Sequence, residues 1–434
     1  MTTDQSIAIL GLGYVGLPLA VNLVEAGRQV VGVDTEASRV EGLRAGRSPV
    51  DDIDDDRLSA ALRSGFSVAH SDDADLAEPD VIFVCVPTPI NQAKDPDLGP
   101  ILAAADRIRR QLRAGQLVIL QSTTFPGTTS GPFRGALESS GLVAGRDFDL
   151  AFAPERVNPG DPASAIRTVP RLVGGLTPAA TTRAATLLRS ITNDVHELTS
   201  PDAAELAKLL ENVFRNVNVA LVNQLALLTE RMGIDVWEVI DAAATKPFGF
   251  MRFSPGPGVG GHCVPVDPYY LAWRAREFDF VDRFIELAGD INMAMPRHVV
   301  DLVAAGLNER GLSTKGARVG VLGVAFKRDI RDQRNSPARA IVAGLAARGA
   351  VVGYHDPHVA RFVDEAGTVH HGQSLDAILD ASDAVVVVTP HRAIDWDAVY
   401  ARAALVIDTV DSSRGRVIEP GRVLRLGAGW STRP

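Results

Sequence analysis

The stretch Ile7–Gly16, IAILGLGYVG, decides how this chain folds. Four apolar residues run directly into the pattern G-x-G-x-x-G, formed by Gly11, Gly13 and Gly16, and a helix-like stretch follows. After a strand and before a helix, such glycines allow a tight turn and let the backbone approach a ligand closely. The free amides of the helix N-terminus can then face a pyrophosphate. The stretch therefore predicts a βαβ unit that binds a dinucleotide; the alternative is a structural glycine turn without a ligand.

The next strand-like run ends at Asp34, 18 residues after Gly16. An acidic residue at this point is expected to accept hydrogen bonds from the adenosine ribose, and its charge would repel a 2′-phosphate. Arg39 could tolerate a phosphate, but Asp34 is the closer group. The pair therefore predicts NAD rather than NADP as the cofactor.

Short apolar runs alternate with helix-like segments through the first half of the chain. Runs rich in Val, Ile and Leu indicate strands that are buried on both faces, and the alternation is typical of a parallel, doubly wound sheet. The predicted strands are Ile7–Leu10, Gln29–Val33, Val81–Val86, Leu117–Gln121 and Asp149–Phe152.

A second, smaller α/β pattern begins near Ala317, and its opening resembles that of the first. RVGVLGVAF predicts a strand and turn, Pro337–Arg348 a helix, and Val351–Tyr354 a strand that leads to Asp356; Ala384–Pro390 and Leu405–Thr409 predict further strands. We expect an α/β fold with two Rossmann-like, doubly wound parallel-sheet domains joined by a long central helix and a helical connector. The predicted segments are residues 1–198, 199–310 and 311–434.

Between the two patterns lies a long stretch with few helix breakers, which begins at Pro201 and ends near Gly233. Its length predicts a spine helix packed on all sides. Lys208 and Asn212 are four residues apart and therefore share one face, from which an ammonium and an amide could reach one oxygen. The alternative is an ordinary surface pair of Glu205 and Lys208.

The segment 255–267, PGPGVGGHCVPVD, places four glycines before Cys263. Glycines leave backbone amides exposed and make room for a ligand, so a thiol at the end of the loop could be a nucleophile whose oxyanion those amides stabilise. A glycine-rich connector with an incidental cysteine fits the local sequence equally well. The other cysteine, Cys85, is expected to be a small buried apolar residue.

Polar residues follow three of the predicted strands. Thr88, Thr123 and Glu155 stand where strands end, and the carboxyl ends of parallel strands line the ligand crevice in such folds. Hydroxyl capping of a turn is the alternative for Thr123, and capping of a helix is the alternative for Glu155.

Composition excludes several classes of protein. The chain has 434 residues, 46% of them hydrophobic, and a net charge of -9, which does not suggest a nucleic-acid partner. Two distant cysteines are not a disulfide framework and fit a reducing cytoplasm, and no apolar run is long enough to span a membrane. The acidic run 51–56 is expected to be a solvated helix entry, and no metal ligand set is predicted.

Seven motifs follow one another along nearly the whole chain: GLGYVGLPLA, VPTP, STTFPGTT, PERVNPG, ELAKLLENVFRNVN, GPGVGGHCVPVDPYYL and LGVAFKRDIRDQRNSPA. Taken together and in this order, they resemble the motifs of the UDP-glucose/GDP-mannose dehydrogenase family. The variant 246–275, with 231–243 before it, resembles most the bacterial branch that acts on UDP-N-acetylglucosamine.

The resemblance implies two successive oxidations at the sugar C6, with two NAD and one water consumed. Cys263 matches the nucleophile, which would form a thiohemiacetal with the C6 aldehyde and then a thioester that water cleaves. Lys208 and Asn212 match the pair that stabilises the oxyanion. A thiolate is nucleophilic near neutral pH, which suits this chemistry.

Three further residues receive catalytic roles from the same resemblance. Asp267 matches a carboxylate that, with Thr123, handles an ordered water as general base. Glu155 matches a carboxylate implicated in proton transfer and thioester hydrolysis.

The resemblance also implies binding residues. Lys327 matches a contact to the substrate diphosphate, and Arg334 a residue of the last domain that reaches the cofactor. The implied cofactor contacts are Gly11, Gly13, Tyr14, Val15, Gly16, Asp34, Arg39, Thr88, Thr123 and Arg334. The implied substrate contacts are Glu155, Arg156, Val157, Lys208, Asn212, Gly260, Phe326 and Lys327.

Two positions depart from the family pattern. Pro159 stands where some UDP-glucose enzymes carry a second Glu, and 246–253 lacks their arginine pattern, for which Lys246 or Arg252 could substitute. The implied partners are a UDP-sugar and a second copy of the chain, in a homodimer or larger oligomer formed through the central helix; no nucleic acid or membrane is expected. UDP-N-acetylmannosamine, UDP-N-acetylgalactosamine and UDP-glucose stay open as substrates.

Two rival functions remain at this point. A two-electron hydroxyacid dehydrogenase of similar layout would not need Cys263 and would form one NADH per substrate. A protein that senses NAD without catalysis would bind the cofactor without turnover.

Overall fold

The structure is a computed structural model that describes residues 5–50, 52–91, 93–157 and 167–430. Two compact units make up the chain: residues 1–211 with 269–281, and residues 212–268 with 282–434. In the part of the chain that the structure describes, no helix combines the length and the apolar character that crossing a bilayer requires. The division into three segments stays a prediction.

The first unit is built on a sheet whose described part has eight strands. The strands are β1 Ser6–Leu10, β2 Gln29–Asp34, β3 Phe66–His70, β4 Val81–Val84, β5 Leu117–Leu120, β6 Asp149–Phe152, β7 Arg171–Gly175 and β8 Val195–Leu198. The helices are α1 Gly16–Glu25, α2 Ala37–Arg44, α3 Asp55–Arg63, α4 Gly99–Arg109, α5 Arg134–Glu138 (after a π-helical turn, Thr129–Phe133) and α6 Pro178–Leu188.

The strand order is β3-β2-β1-β4-β5-β6-β7-β8, and every pairing is parallel except that of β6 with β7. β4 and β5 are buried along their whole length, because helices cover both faces of the sheet. The order reverses at β1, which lies between β2 and β4. This reversal is the point at which doubly wound sheets bind ligands beyond the carboxyl ends of their strands.

The acidic run forms the predicted solvated helix entry. The carboxylate of Asp54 accepts a hydrogen bond from the amide of Arg57 at 2.7 Å, and Asp55 and Asp56 occupy the first turn of α3. Acidic residues are favourable there because they interact with the positive end of the helix dipole. Asp51 lies outside the described residues.

A long helix, α7, runs from Pro201 to Met232, as the sequence predicts, and Gly233 ends it with a positive φ of 69°. One face carries buried polar side chains three, four or seven residues apart, which we call the polar seam: Glu205, Lys208, Asn212, Asn216 and Asn223. The opposite face exposes large apolar side chains at the same spacing, which we call the apolar stripe: Leu206, Leu210, Phe214, Leu221, Leu225, Leu228 and Met232. The prediction that this helix is packed on all sides is therefore wrong for the single chain.

The second unit contains helical segments and a smaller sheet. The helices are α8 Val236–Ala244, α9 Asp267–Arg276 (only its first two residues belong to this unit), α10 Arg283–Asn308, α11 Pro337–Ala347, α12 Leu375–Ala381 and α13 Trp396–Arg402. The strands are β9 Arg318–Leu322, β10 Val351–His355, β11 Arg361–Val363, β12 Val369–His371, β13 Ala384–Val387, β14 Val406–Asp408, β15 Val423–Arg425 and β16 Gly429–Trp430.

The larger sheet of this unit has the described order β10-β9-β13-β14-β15-β16 and is parallel except for β16; β11 and β12 form a separate hairpin. The prediction of two Rossmann-like domains joined by a long helix is confirmed, with antiparallel strands at β6–β7 and β15–β16 as additions.

The two units open in the same way, as the similar sequences after their first strands suggested. The amide of Gly11 donates to Val33 O at 2.8 Å, and the amide of Gly323 donates to His355 O at 2.9 Å. Asp34 accepts from the amide of Leu12, and Asp356 accepts from the amides of Val324 and Ala325. In each unit an aspartate at the end of the second strand fixes the turn that follows the first strand.

Candidate active site

The three glycines of the first turn serve different purposes. Gly11 has a φ of +92°, and a Cβ on it would lie 2.5 Å from the carbonyl oxygen of Cys85. A Cβ on Gly16 would lie 1.9 Å from the carbonyl oxygen of Gly11. Gly13, in contrast, has nothing within 4 Å of a Cβ position. Gly11 and Gly16 are therefore required by packing, whereas Gly13 opens the turn to an approaching ligand.

The N-terminus of α1 has the features of an anion site. Val15 is the N-cap residue, and no side chain caps the helix. The amide of Leu17 donates to Gly13 O at 3.1 Å, which ties the turn to the helix, and Tyr14 packs against the core of the sheet. Amides of the first helical turn that no side chain caps can bind a phosphate, so the turn fits the pyrophosphate of a dinucleotide.

Asp34 is almost fully buried, at 5% exposure, and organises the end of β2. Its carboxylate accepts from the amides of Leu12 at 2.9 Å and Glu36 at 3.0 Å, and it pairs with Arg39 at 3.0 Å. A second contact of Arg39, at 2.7 Å, goes to Glu36. The guanidinium is thus held by two carboxylates, which disfavours a 2′-phosphate at this point. A carboxylate has about four lone-pair directions, so three bonds still leave capacity for a ribose hydroxyl.

The predicted polar residues beyond the sheet lie where the sequence put them. Thr88 follows β4, Thr123 follows β5 and Glu155 follows β6, and all three are partly buried. β4, β5 and β6 are adjacent and parallel, so these residues share the carboxyl edge of the sheet.

Glu155 is held in place by residues that the sequence analysis did not single out. One carboxylate oxygen accepts from the amides of Arg156 and Val157 at 2.7 and 3.0 Å. The other pairs with Arg171 at 2.8 Å and accepts from Gln121 at 3.2 Å. Arg171 is only 1% exposed, so this ion pair is buried. No sequence signal marks Arg171, because a lone arginine at the start of a strand is common.

The remaining residues near Glu155 are fixed by ordinary contacts. Arg156 pairs with Glu211 at 2.7 Å and donates to Pro170 O at 2.7 Å, and Val157 packs against the core. Asn158, Pro159 and Gly160, including the departure at Pro159, lie outside the described residues. Burial, followed by the nearby charge of Glu155, raises the pKa of the Cys85 thiol far above its ordinary value, in keeping with an unreactive residue.

On α7, Lys208 is 8% exposed and Asn212 is 3% exposed, and both belong to the polar seam. Glu205 is fully buried and accepts hydrogen bonds from the amides of Gly127 and Thr129 at 2.7 and 2.9 Å. The alternative of a surface pair between Glu205 and Lys208 is therefore wrong.

Cys263 is half-buried and lies four residues before Asp267, the first residue of α9. Its carbonyl oxygen accepts from the amides of Val266 and Asp267 at 3.0 and 2.8 Å, which joins the loop to the start of α9. The buried carboxylate of Asp267 accepts from Asn212 Nδ2 at 2.6 Å. Within the second unit, Asp267 at the start of α9 is therefore held by the Asn212 side chain of α7.

We call residues 255–263 the cysteine loop. Its glycines allow close packing against neighbouring residues, and two of their amides are already hydrogen-bonded. A Cβ on Gly260 would lie 2.6 Å from Phe326 Cβ, and one on Gly261 would lie 2.9 Å from the Phe326 ring. The amide of Gly261 donates to Arg334 O at 2.9 Å, and that of Gly256 donates to Asn223 Oδ1 at 2.9 Å. The expectation that the glycine amides of this loop face an oxyanion is therefore wrong for Gly256 and Gly261, whose amides are already hydrogen-bonded.

The segment after β9 carries the remaining predicted contacts. Phe326 and Lys327 are partly exposed, and the amide of Phe326 donates to Asp332 O at 2.9 Å. Arg334 pairs with Asp332 at 2.5 Å, and its Nη2 lies 3.1 Å from His262 Nδ1. Arg334 thus lies beside the cysteine loop.

The two cations proposed as substitutes in 246–253 already have partners. Arg252 pairs with Asp241 at 3.0 Å and donates to Ser254 Oγ at 2.7 Å. The ammonium of Lys246 lies 4.6 Å from the centroid of the Phe248 ring.

Asp329, His358 and His391 place one potential metal-ligand atom each within 4.8 Å of one another. His391 Nδ1 accepts from the amide of Asp329 at 2.9 Å, and its Nε2 lies 3.0 Å from the carboxylate of Asp356. A metal at Nδ1 would have to displace the Asp329 amide, so the cluster is accounted for by the hydrogen bonds that it makes.

Comparison with known proteins gives matches along most of the chain. Three parts of the UDP-glucose/GDP-mannose dehydrogenase family match in order: the NAD-binding domain over residues 5–192, the central domain over 202–294 and the UDP-binding domain over 320–413.

Individual relatives match over nearly their full length. The UDP-N-acetyl-D-glucosamine 6-dehydrogenase of Pseudomonas aeruginosa is 36% identical, over 89% of this chain and 91% of the relative. The UDP-N-acetyl-D-mannosamine dehydrogenase of Pyrococcus horikoshii is also 36% identical, over 93% and 94%. The solved structure of a UDP-D-ManNAc dehydrogenase from Pyrococcus horikoshii superposes with a TM-score of 0.86 and 33% identity, over 98% of this chain and 99% of that one.

Proposed function

This chain belongs to the UDP-glucose/GDP-mannose dehydrogenase family, and we propose that it oxidises the C6 hydroxyl of UDP-N-acetylglucosamine to a carboxylate through a covalent bond to Cys263. Membership makes it an NAD-dependent nucleotide-sugar dehydrogenase with a UDP-binding domain. The specific sugar, the covalent route and the roles of individual residues are the proposal.

The first unit supplies the residues that would hold NAD. Gly13 leaves open space at the turn, α1 offers its N-terminal amides to the pyrophosphate, and Asp34 has capacity for a ribose hydroxyl. When bound, NAD accepts the hydride in each of the two oxidations. We assign Thr88 and Thr123 to the same cofactor because they share the carboxyl edge of the sheet, and Arg334 on the family pattern alone.

The covalent route is supported by the burial of Cys263 and by the hydrogen bonds of the backbone around it. The thiol is half-buried, its carbonyl is fixed to the start of α9, and the loop before it is fixed at Gly261. An incidental cysteine in a loose connector would need none of these contacts. A fixed, accessible thiol is what a covalent nucleophile requires.

The proposed route balances in atoms and electrons. The thiolate of Cys263 adds to the C6 aldehyde, a C–S bond forms, and the carbonyl electron pair moves to oxygen. Loss of a hydride from that carbon restores the C=O bond and leaves a thioester. Water attacks the thioester, the C–S bond breaks, and the thiolate leaves. In total one alcohol, one water and two NAD give one carboxylate, two NADH and three protons.

Two residues of the polar seam are assigned to the oxyanion. The ammonium of Lys208 supplies a positive charge from a buried position, where charge stabilisation is strong. Asn212 donates one amide hydrogen to Asp267, and a carboxamide has a second hydrogen to offer.

The carboxylates receive distinct roles. Asp267, with Thr123, is assigned to activate the water that cleaves the thioester, and the bond from Asn212 orients it. Glu155 is bound by Arg171, Gln121 and two amides, which fix the orientation of its carboxylate. We therefore assign Glu155 to orientation of substrate and water, together with Arg156 and Val157, and to proton acceptance in the thioester step.

The substrate nucleotide is assigned to the second unit. Lys327 follows the turn after β9, where the glycine–aspartate arrangement of the first unit recurs, and its ammonium suits a diphosphate. Phe326 and Gly260, which pack together, are assigned to the wall beside the sugar.

The sugar is assigned from the branch that 231–243 and 246–275 resemble. UDP-N-acetylmannosamine is the second candidate, since relatives with either activity are 36% identical to this chain. A substrate panel decides between them: kcat/KM is measured for UDP-N-acetylglucosamine, UDP-N-acetylmannosamine, UDP-N-acetylgalactosamine, UDP-glucose and GDP-mannose. We expect the highest value for UDP-N-acetylglucosamine, and a higher value for any other sugar overturns this assignment.

We propose that a second copy of the chain covers the apolar stripe of α7. The stripe exposes seven large apolar side chains along one helix, and such continuous apolar surface is typical of protein interfaces. Heptad-like spacing of the stripe suits a partner helix of the same kind.

A further inference from the structure

The cysteine loop packs against the segment 326–337, and two neighbouring residues of that segment form hydrogen bonds with the loop backbone. The amide of Gly261 donates to Arg334 O at 2.9 Å, and Gly261 O accepts from Asn335 Nδ2 at 2.9 Å. Both hydrogen-bonding groups of Gly261, two residues before Cys263, are therefore used by one partner segment.

The contact leaves almost no space. A Cβ on Gly260 would lie 3.1 Å from Asn335 O as well as 2.6 Å from Phe326 Cβ, and one on Gly258 would lie 3.3 Å from Pro296 and Pro337. Glycine is thus required at these positions so that the loop can lie flat on its support.

The far end of the loop is fixed by a chain of buried amides. Gly256 donates to Asn223 Oδ1 at 2.9 Å, Asn223 Nδ2 donates to Asn292 Oδ1 at 2.9 Å, and Asn292 Nδ2 donates to Asn216 Oδ1 at 2.8 Å. α7 and α10 together hold this end. At the end nearer the thiol, the side chain of Asn335 bonds to the loop backbone, while that of Arg334 contacts the His262 side chain.

Asn335 itself has an unusual backbone. Its φ is +51°, in the left-handed region that glycine adopts readily and that Asn and Asp adopt more often than other residues. Asparagine is therefore one of few residues that can hold this backbone and also present an amide donor to Gly261 O.

We propose that Asn335 is a positioning residue for Cys263: its bond to Gly261 O sets the place from which the thiol attacks the C6 aldehyde. The inference rests on the proposed covalent route. A loop released at Gly261 samples more conformations, so a smaller fraction of them places the sulfur for attack, while no residue assigned to NAD or to the diphosphate is replaced.

Two substitutions separate the side-chain bond from the backbone. Asn335→Gly keeps the left-handed backbone and removes the donor, and Asn335→Asp keeps the shape but sets an oxygen against Gly261 O. The control is Asp279→Gly, at an exposed residue with a similar φ of +54°. We expect kcat to fall roughly 10-fold in Asn335→Gly and further in Asn335→Asp, with KM for UDP-N-acetylglucosamine and NAD within about 2-fold of wild type. The control keeps the wild-type kcat.

Alkylation of Cys263 by iodoacetamide, followed by peptide mass mapping, is the second readout. We expect the thiol of Asn335→Gly to react roughly 5-fold faster than that of the wild type, because its loop opens more often. Unchanged kcat and alkylation rate in Asn335→Gly would overturn the positioning role. If wild-type enzyme stays active with Cys263 fully alkylated, the covalent route itself fails, and the positioning role fails with it.

Discussion

Cys263 has an accessible thiol on a backbone that is held from three directions: α9 at its carbonyl, the segment 334–335 at Gly261, and Asn223 at Gly256. Such a frame removes conformational freedom before the substrate arrives, so less entropy is lost at the moment of attack. Cys85 is also half-buried and directly follows β4, but desolvation of its thiol raises the thiol pKa far above the ordinary value. A raised pKa leaves little thiolate near neutral pH, which disfavours Cys85 as a nucleophile.

Replacement of Cys263 separates the covalent route from a simple hydride transfer. We expect Cys263→Ala to lower the rate of uronate formation on the order of 1,000-fold or more, because no thiohemiacetal can form. Cys263→Ser is expected to turn over slowly and to accumulate a sugar ester, since an oxygen ester is hydrolysed less readily than a thioester. Intact-protein mass spectrometry detects the adduct, and undiminished turnover by Cys263→Ala would rule out the covalent route.

Asp34 tests the cofactor assignment. We expect Asp34→Ala to raise KM for NAD roughly 10-fold or more, because the variant loses a charged acceptor for the ribose and the bond that fixes Leu12. Glu36→Ala is the matched control, since Glu36 also contacts Arg39 but is exposed. Equal KM values for NAD in Asp34→Ala and the control would refute the assignment.

The helix α7 has its polar and apolar faces exchanged relative to an ordinary surface helix. Its buried face is the polar seam, and its exposed face is the apolar stripe. Hydrogen bonds offset part of the cost of burying these polar groups: Glu205 binds Gly127 and Thr129, Asn212 binds Asp267, and Asn223 binds Asn292. In the function that we propose, the polar seam contributes Lys208 and Asn212 to the chemistry, and the apolar stripe is the surface that a second copy would cover.

The apolar stripe gives a direct test of assembly. Leu210, 61% exposed, lies within it, and Leu210→Glu would place a charge in the proposed interface. We expect light scattering after gel filtration to give a dimer or larger oligomer for the wild type and a monomer for the variant. Val417→Glu, at a residue 90% exposed in the second unit, should keep the wild-type mass. A monomeric wild type, or an unchanged mass for Leu210→Glu, would contradict the proposed interface.

Glu205 predicts how stability varies with pH. Burial raises the pKa of this carboxyl to about 7 from 4.5, although the donors from Thr129 and Gly127 favour its ionised form. Between these pH values the folded chain keeps a proton that the unfolded chain has released, so this group lowers the stability as pH rises from about 4.5 to about 7.

Thermal unfolding midpoints of wild type and Glu205→Gln, measured across that pH range, check the sign. We expect the variant to lose this downward contribution, so that its midpoint falls less steeply with pH than that of the wild type. The comparison concerns the slopes, and a uniform loss of stability in the variant does not affect it. Parallel curves would contradict a raised pKa.

Much of this arrangement follows from local sequence, and the rest depends on long-range contacts. The turn at Gly11, the strand that ends at Asp34 and the helix from Pro201 were predictable, because glycine patterns and helix breakers act over a few residues. The bond of Arg171 to Glu155 and that of Asn335 to Gly261 join residues 16 and 74 apart, and neither residue type marks its partner. The prediction that α7 is packed on all sides missed its exposed apolar face. The length of a helix does not tell whether its own chain covers every face.

The whole molecule contains the same local arrangement twice, once in each unit. A strand, a glycine turn and an aspartate that holds the turn occur at Gly11 with Asp34 and again at Gly323 with Asp356. Family membership assigns NAD to the first unit and a UDP moiety to the second. An enzyme that binds two nucleotides in this way can reuse one nucleotide-sugar site for two rounds of oxidation, provided that the half-oxidised sugar stays bound, which is the purpose we give to Cys263.

The number of NADH molecules formed per UDP-sugar distinguishes two successive oxidations from a single one. UDP-N-acetylglucosamine is supplied as the limiting reagent with excess NAD, NADH is followed by absorbance to completion, and the sugar product is identified by mass spectrometry. We expect two NADH per sugar and a uronate product, with no free aldehyde. One NADH per sugar, with release of the aldehyde, would contradict the two-step oxidation through Cys263.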